Sequence, residues 1–377
     1  MIKVWDYLLE YELEKQEIHQ AIEDVLTSGQ LILGQHVEAF EQSFADYTGV
    51  KYGVGVNSGT DALFLAMKAL NIGVGDEVIT VANTAVPTVS AIVSTGATPK
   101  FIDVDPDSLL MDVALLEAAI TADTKCILPV HLYGQCVDMG AVQAIADKHG
   151  LAILEDCAQA HGATFGDRKA GSMSKISAFS FYPTKILGGF GDAGMVLTDD
   201  KAMYNKLKRL RSYGMEKNYD AKEHGFNSRL DELHAAILLK KLSHLDEYIQ
   251  RRQELALRYD QALNNTELSH VKKLDTGQPA YYVYVCRSES REYWMNSLRE
   301  RGVHTNISYP WPVHTMDAYR YLGYEEGDLP YTETAAKEIF SIPLYPSLSD
   351  IEQNEVIASI AAIDSEIKNQ LLVGTTN

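Results

Sequence analysis

Cationic side chains are in short supply in this chain of 377 residues, with 33 Lys and Arg against 52 Asp and Glu and a formal net charge of −19. A surface of that sign repels nucleic acid and anionic membranes, so neither is expected as a partner. An anionic substrate would need a local exception, built from backbone N–H groups, helix N-termini or a few Arg and Lys. Cysteine is scarce as well. Cys126, Cys136, Cys157 and Cys286 are too few for a disulfide scaffold and form no CxxC pair, so no metal site is expected, and reduced thiols in the cytoplasm are. No signal peptide is expected, because Met1 to Ile18 is charged from the start and has no apolar stretch. The longest uncharged run, Val78 to Pro99, carries five Thr, two Ser, an Asn and two Pro, which makes it a poor membrane span.

Hydrophobic residues make up 46% of the chain, enough for a folded core, and the length points to two domains at roughly 100–200 residues each. Seven short apolar runs alternate with helical patterns between residues 50 and 200: Tyr52–Val56, Glu77–Val81, Lys100–Val104, Lys125–Val130, Leu151–Leu154, Ile176–Phe181 and Gly194–Leu197. Stretches such as Asp61–Leu70, Val113–Ile120 and Met139–His149 have apolar residues at helical spacing. Strands alternating with helices predict an α/β fold with a mostly parallel, doubly wound sheet, whose ligand sits beyond the carboxyl ends of its strands. Near residue 240 the pattern changes. Leu238–Leu263 reads as one long amphipathic helix, followed by a strand (Tyr281–Cys286), a helix (Arg291–Arg301), a strand (Val303–Ser308) and a terminal helix (Ile351–Leu371). The expected division is a large domain over 1–240 and a smaller α+β domain over 241–377, with residues 1–45 wrapping across both.

Three strand ends carry chemistry. After the first strand comes Asn57-Ser58-Gly59-Thr60-Asp61-Ala62-Leu63, opening a helix. First-turn N–H groups, the helix dipole, a glycine that admits close approach and two hydroxyls form a phosphate cradle, although an ordinary Ser or Thr N-cap would read the same locally. The run Leu151–Leu154 ends in Glu155-Asp156, then Cys157, Gln159 and His161. A carboxylate at the end of a buried strand needs a cation, a metal or a protonated ring nitrogen, unless it is solvated or caps a helix. Cys157 reads as a buried, inert thiol and His161 as a packing residue. The third strand end is Ala178-Phe179-Ser180-Phe181-Tyr182-Pro183-Thr184-Lys185, with glycines at 188, 189, 191 and 194. A lone Lys is ordinarily a solvated charge. On the same rim as a carboxylate and a phosphate cradle it becomes an amine nucleophile able to form Schiff bases. Together the three are what pyridoxal phosphate needs: an anchor for its phosphate, a partner for its pyridinium N–H and an amine for its aldehyde.

These motifs resemble the DegT/DnrJ/EryC1/StrS sugar aminotransferases, which are fold type I pyridoxal phosphate enzymes with a mostly parallel seven-stranded sheet in the large domain. The resemblance spans nearly the whole chain, through NSGTDAL (57–63), GDEVI (75–79), HLYGQ (131–135), EDCAQAHGA (155–163), SFYPTK (180–185), GFNSRLDELHAAIL (225–238), PWPVH (310–314) and SIPLYP (341–346). It implies Lys185 as the Schiff-base lysine, Asp156 as the partner of the pyridine nitrogen, and Gln159 beside the ring hydroxyl. It also implies Gly59, Thr60 and Ser180 as phosphate binders, and Asn227 as a residue reaching the phosphate of a neighbouring subunit, hence a homodimer with shared sites. Tyr309 and His314 fall where the family approaches the sugar.

The implied reaction moves an amino group from L-glutamate to a nucleotide-linked, dTDP-type keto sugar. Lys185, where dehydratase relatives carry His, favours transamination over pyridoxamine-dependent dehydration, and intact Lys185 and Asp156 argue against a non-catalytic relative. Gly191-Asp192-Ala193-Gly194 resembles the branch acting on 3-keto-6-deoxy sugars, with a 4-keto substrate as the alternative. One departure stands out: Ala85 occupies a segment (83–88) where the family often has an aromatic residue stacking on the cofactor. Arg229, Lys175 and the cluster Lys206–Arg211 are candidates for the diphosphate, although the cluster reads more readily as a solvated helix face.

Overall fold

The computed structural model describes residues 1–374 apart from Asn218 and Asn265, and the side chains to residue 369. Seven strands form the central sheet: β1 (Tyr52–Val56), β2 (Glu77–Val81), β3 (Thr98–Ile102), β4 (Thr124–Ile127), β5 (Ala152–Asp156), β6 (Ile176–Ser180) and β7 (Gly194–Thr198), in the order β1-β7-β6-β5-β4-β2-β3. Only β7 runs against its neighbours, β1 and β6; the remaining pairings are parallel. All five residues of β6 and of β7 are buried, as expected of strands covered on both faces. Pro99, which cannot donate to a ladder, sits on the edge strand β3.

Helices α3 (Gly59–Ala69), α4 (Val86–Thr95), α5 (Val113–Ala119) and α6 (Met139–His149) connect the parallel strands, and α7 (Lys201–Leu210) follows β7. Before the sheet, α1 (Tyr7–Ser28) and α2 (Gln35–Thr48) pack on α8 (Glu232–Leu242). α4 escapes sequence reading because Val86-Pro87-Thr88-Val89 is β-branched and contains Pro; the Pro falls in its first turn, where no N–H partner is required.

The helix expected over Leu238–Leu263 is broken. α8 ends at Leu242 and α9 (Leu245–Leu263) begins after two intervening residues, Ser243 and His244. Three-residue turns close the break, Ser243 N–H to Lys240 O at 3.2 Å and His244 N–H to Lys241 O at 3.0 Å. The periodicity continues across it because both helices are amphipathic: Leu238, Leu245 and Ile249 lie in the core around the sheet, and Leu255, Tyr259 and Leu263, farther along α9, in a second hydrophobic cluster. That cluster also takes Tyr284 and Cys286 from β9 (Tyr284–Arg287), Trp294 and Leu298 from α10 (Arg291–Glu300), Phe340 and Ile342 from β10 (Ile339–Ile342), and Ile360 and Ile363 from α11 (Asp350–Gly374). Here β8 (Ser269–His270), β9 and β10 form a small antiparallel sheet.

β9 starts later than Tyr281 because that residue is left-handed, with φ 50°. Val303–Ser308 does not form the expected strand. Val303 pairs in parallel with Ile2 and Asn306 antiparallel with Ser341, two different partners that build no common ladder.

Candidate active site

The carboxyl ends of β1, β2, β4, β5 and β6 open on a cavity of about 350 Å³. Gly59, Thr60, Asp156, Gln159, Ser180 and Lys185 all line it, brought from segments up to 126 residues apart by the parallel strand order. Ser58 caps α3, its Oγ accepting from Asp61 N–H at 3.1 Å, which leaves the first-turn N–H groups of Gly59 and Thr60 at the cavity. Gly59 is required by its neighbour: a Cβ there would stand 2.5 Å from Ser180 Cβ. Ser228 Oγ fastens this turn, donating to Asp61 Oδ2 at 2.7 Å and accepting from Asn57 N–H at 3.3 Å.

Asp156 is buried at the end of β5. Thr88 Oγ1 donates to its Oδ2 at 2.8 Å and Ala158 N–H to its Oδ1 at 3.1 Å. Burial nevertheless raises its carboxyl above the ordinary Asp value, outweighing the hydrogen bonds from Ala158 and Thr88 and the charge of Lys185. A carboxylate so poorly compensated is suited to a cationic N–H from a ligand.

Gln159 is oriented by the backbone. Tyr133 N–H donates to its Oε1 at 2.8 Å, so its amide nitrogen points the other way and donates to Tyr309 Oη. Tyr133 presents that N–H from a left-handed conformation, φ 59°. Half-buried Lys185 has its Nζ 4.7 Å from the ring centre of Tyr282, whose hydroxyl pairs with Thr184 Oγ1 at 2.9 Å. Ala85 and Pro87 line the cavity with Val130 and Leu132, and its one aromatic lining residue among those described is Tyr182.

The remaining sequence candidates lie elsewhere. Asn227 is exposed, bridged to Ser212. Tyr309 reaches the site through Gln159, whereas His314 is fully buried outside the cavity lining, its Nε2 3.1 Å from Glu333 Oε1. Lys175 precedes β6 and so stands at the opposite end of the sheet from the cavity. Lys206 binds Ala69 O and Asn71 Oδ1 at the far end of α3, about 15 Å along the helix from Gly59. Within that cluster Arg209 pairs with Glu223, and Arg211 is buried against Glu41 and Gly55 O. Arg229 packs over the Tyr213 ring.

Behind the cavity, Glu155 is completely buried and accepts from Gly171 N–H, Met173 N–H, Ser174 N–H and Ser174 Oγ at 2.7–2.9 Å. His131 takes Val137 N–H on Nδ1, so its Nε2 carries the proton that meets Glu155 Oε2 at 3.1 Å. Burial alone would raise the Glu155 carboxyl, but His131 and the backbone donors overcome it and hold it low. Cys157 lies close enough to Glu155 and His131 to complete a metal-like trio, yet the carboxylate is already saturated and burial pushes the thiol well up. His161 packs among Phe44, Phe179 and Phe181, and burial followed by the Lys185 charge pushes it down to about 3, so it is neutral.

Two predictions arise here. Glu155→Ala should cost about 3–5 kcal/mol in urea unfolding, because it strands the His131 donor and a turn of N–H groups in the core. A carboxyl held low in the fold adds stability that is full above its unfolded value and is lost as pH falls through the folded one. The unfolding free energy of Glu155→Gln should therefore fall less steeply than that of the unmodified protein below about pH 4.3.

The model of the DegT/DnrJ/EryC1/StrS aminotransferase family matches residues 12–361. A dTDP-3-amino-3,4,6-trideoxy-alpha-D-glucose transaminase of Micromonospora megalomicea subsp. nigra is 50% identical over 366 residues, 96% of this chain and 98% of the relative. The crystal structure of S. venezuelae DesV in complex with a ketimine intermediate superposes with a TM-score of 0.94 at 41% identity, covering 95% of this chain and 97% of that one. The PLP form of a putative sugar aminotransferase, Spr1654 from Streptococcus pneumoniae, superposes with a TM-score of 0.88 at 27% identity, covering 93% and 97%. With a family match across nearly its whole length and a lysine, a carboxylate and a helix N-terminus gathered on one rim, the chain belongs to the DegT/DnrJ/EryC1/StrS aminotransferase family.

Proposed function

We propose that this protein uses pyridoxal 5′-phosphate to transfer an amino group from L-glutamate to a nucleotide-linked keto-deoxysugar, a dTDP-linked 3-keto-6-deoxyhexose being the favoured acceptor. The convergence of Lys185, Asp156 and the Gly59–Thr60 turn on one cavity carries the proposal. The phosphate fits the α3 N-terminus, where Gly59 keeps the backbone open beside Ser180. The ring nitrogen fits Asp156, whose buried carboxylate gains the cation it lacks. The bound cofactor would supply an electron sink for the carbon whose proton is removed.

The chain's own residues do the rest. Lys185 supplies the amine for the cofactor's aldehyde and, once released, moves a proton between carbon atoms; such placed transfer contributes about 10²–10⁴-fold. Gln159 directs an N–H toward the ring hydroxyl because Tyr133 occupies its oxygen. Val130, Leu132 and Pro87 restrict water. Asn227, exposed on this chain, is left to serve the site of a second copy, which supports a homodimer. Four buried thiols without a disulfide suit the cytoplasm, and among the described residues no helix is long and apolar enough to cross a membrane.

The favoured acceptor rests on the Micromonospora relative and on the Gly191–Gly194 motif, in which Asp192 lines the cavity and a Cβ on Gly194 would stand 2.3 Å from Ser58 O. Purified protein, L-glutamate and dTDP-linked 3-keto or 4-keto deoxy sugars, with mass spectrometry and NMR of the product, provide the test. Amination at C3 without loss of a hydroxyl is expected. Amination at C4 would move the assignment to the alternative, and loss of a hydroxyl would make the protein a dehydratase. Gly59→Ala should raise the cofactor's dissociation constant about tenfold to a hundredfold, since relieving a clash of that kind costs about 1–3 kcal/mol; fluorescence titration of the cofactor-free protein measures it.

A further inference from the structure

Arg252, on α9, is 3% exposed. Its Nη1 donates to three backbone carbonyls, Tyr281 O and Tyr282 O at 3.2 Å and Leu344 O at 3.1 Å. Its Nε is buried with no hydrogen-bond partner, and among the described residues the guanidinium is bonded to carbonyl oxygens and to no carboxylate. Glu10 acts on it only through space. A buried guanidinium without a carboxylate is costly, because Coulomb attraction does not repay the lost hydration.

The side chain lines a cavity of about 370 Å³ separate from the one under Lys185. Lys3, Asn306 and Ser308 contribute polar groups, and Trp5, Ile342 and Leu344 an apolar wall. No Asp or Glu lines it, in a chain with 19 more acids than bases, whereas Glu325, Glu326 and Glu333 line the cavity beside Trp311. It adjoins the reaction centre: Thr184, the residue before Lys185, and Tyr282, whose ring lies 4.7 Å from Lys185 Nζ, both line it.

We propose that this cavity binds a carboxylate of the amino-acid donor, with Arg252 as its anchor and Lys3, whose ammonium is also ion-paired with Asp6 at 2.9 Å, at its rim. The inference rests on the aminotransferase reading above and adds where the donor's negative charge is held. With its Nη1 committed to the backbone, Arg252 keeps its Nε and Nη2 N–H groups, a parallel pair that matches the two oxygens of one carboxylate. The apolar wall accepts a short methylene chain. Of the candidates singled out from sequence for anion binding, Lys175 and Lys206 are at the other end of the sheet, Arg209 and Arg211 are paired with Glu223 and Glu41, and Arg229 packs over the Tyr213 ring.

The test uses the cofactor-loaded enzyme and glutarate, a dicarboxylate with no amine to react. Borohydride fixation at residue 185 of the unmodified enzyme comes first; if no label forms there, the aminotransferase reading itself fails, before any variant is made. Calorimetry should then show glutarate binding to the unmodified enzyme, weakened at least about tenfold in Arg252→Lys, the size of one charge-assisted hydrogen bond. In single-turnover spectra, half-saturation by L-glutamate should rise similarly, while half-saturation of the second half-reaction by the keto sugar stays unchanged. Lys3→Ala, at an exposed position, should weaken glutarate about threefold without lowering the melting temperature. Unchanged glutarate affinity, or equal weakening of both half-reactions, would make Arg252 a backbone clamp and overturn the proposal. If Arg252→Lys does not fold, Lys3→Ala decides: unchanged glutarate affinity there is the refuting result.

Discussion

Lys185→Ala is expected to abolish multiple turnover while leaving the fold intact. The lost proton transfer alone accounts for about 10²–10⁴-fold, and loss of the amine that engages the cofactor's aldehyde adds to it. The structure explains why the fold should survive. Lys185 is half-buried, its backbone N–H belongs to the turn onto Tyr182 O, and its side chain meets the Tyr282 ring without forming an ion pair among the described residues. Melting temperature should therefore hold, and the cofactor should still bind through the Gly59 turn and Asp156. Its absorbance should change, and borohydride should no longer fix it to the protein. A variant that kept multiple turnover with a sugar acceptor would remove Lys185 from the reaction.

Asp156→Asn is the second large effect, and it should separate activity from stability. Turnover should fall about 10²–10³-fold, the usual loss when a preorganised electrostatic partner of the reacting system is removed. The cofactor-free protein should respond in the opposite direction. Burial holds the Asp156 carboxyl above its ordinary value, so the folded state favours the protonated form. As pH rises from about 3.9 through the folded value, that preference turns into a penalty, and the unmodified cofactor-free protein loses stability. Asn carries no such charge. The variant's unfolding free energy should be flatter across that window and no lower than the unmodified protein's at neutral pH, as found when a site holds strain for the sake of function. Urea unfolding of both proteins at several pH values measures it. A steeper loss in Asp156→Asn would mean that the carboxylate stabilises the empty fold and that its role at the ring nitrogen has been misjudged.

These effects start from residues that sequence alone points to, and the reason is topological. In a parallel sheet every strand delivers its carboxyl end to the same rim, so a motif placed just after a strand has its address written locally. Gly59, Asp156 and Lys185 follow β1, end β5 and follow β6, and no long-range information is needed to bring them together. The same logic misleads where its direction is ignored. Lys175 is nearer to β6 along the chain than Lys185 is, but on its amino side, and it ends up at the wrong end of the sheet.

Other features depend on contacts between distant segments. Thr88 reaches Asp156 from 68 residues away, on a helix hidden by its β-branched composition. The direction of the Gln159 amide is set by one backbone N–H in a left-handed residue. The break after Leu242 leaves no gap in hydrophobic periodicity, since Leu238 before it and Leu245 and Ile249 after it pack in the same core, and only the later turns of α9 reach the second cluster.

What this sequence determines by itself is the strand–helix alternation, the sign of its surface, and the three strand-end motifs, because each is set by neighbours within a few residues along the chain. What only the tertiary structure decided is which polar groups are left without partners once everything is packed. Among the described residues no cation is bonded to Asp156 and no carboxylate to Arg252, because burial removes water from groups whose partners depend on the whole fold.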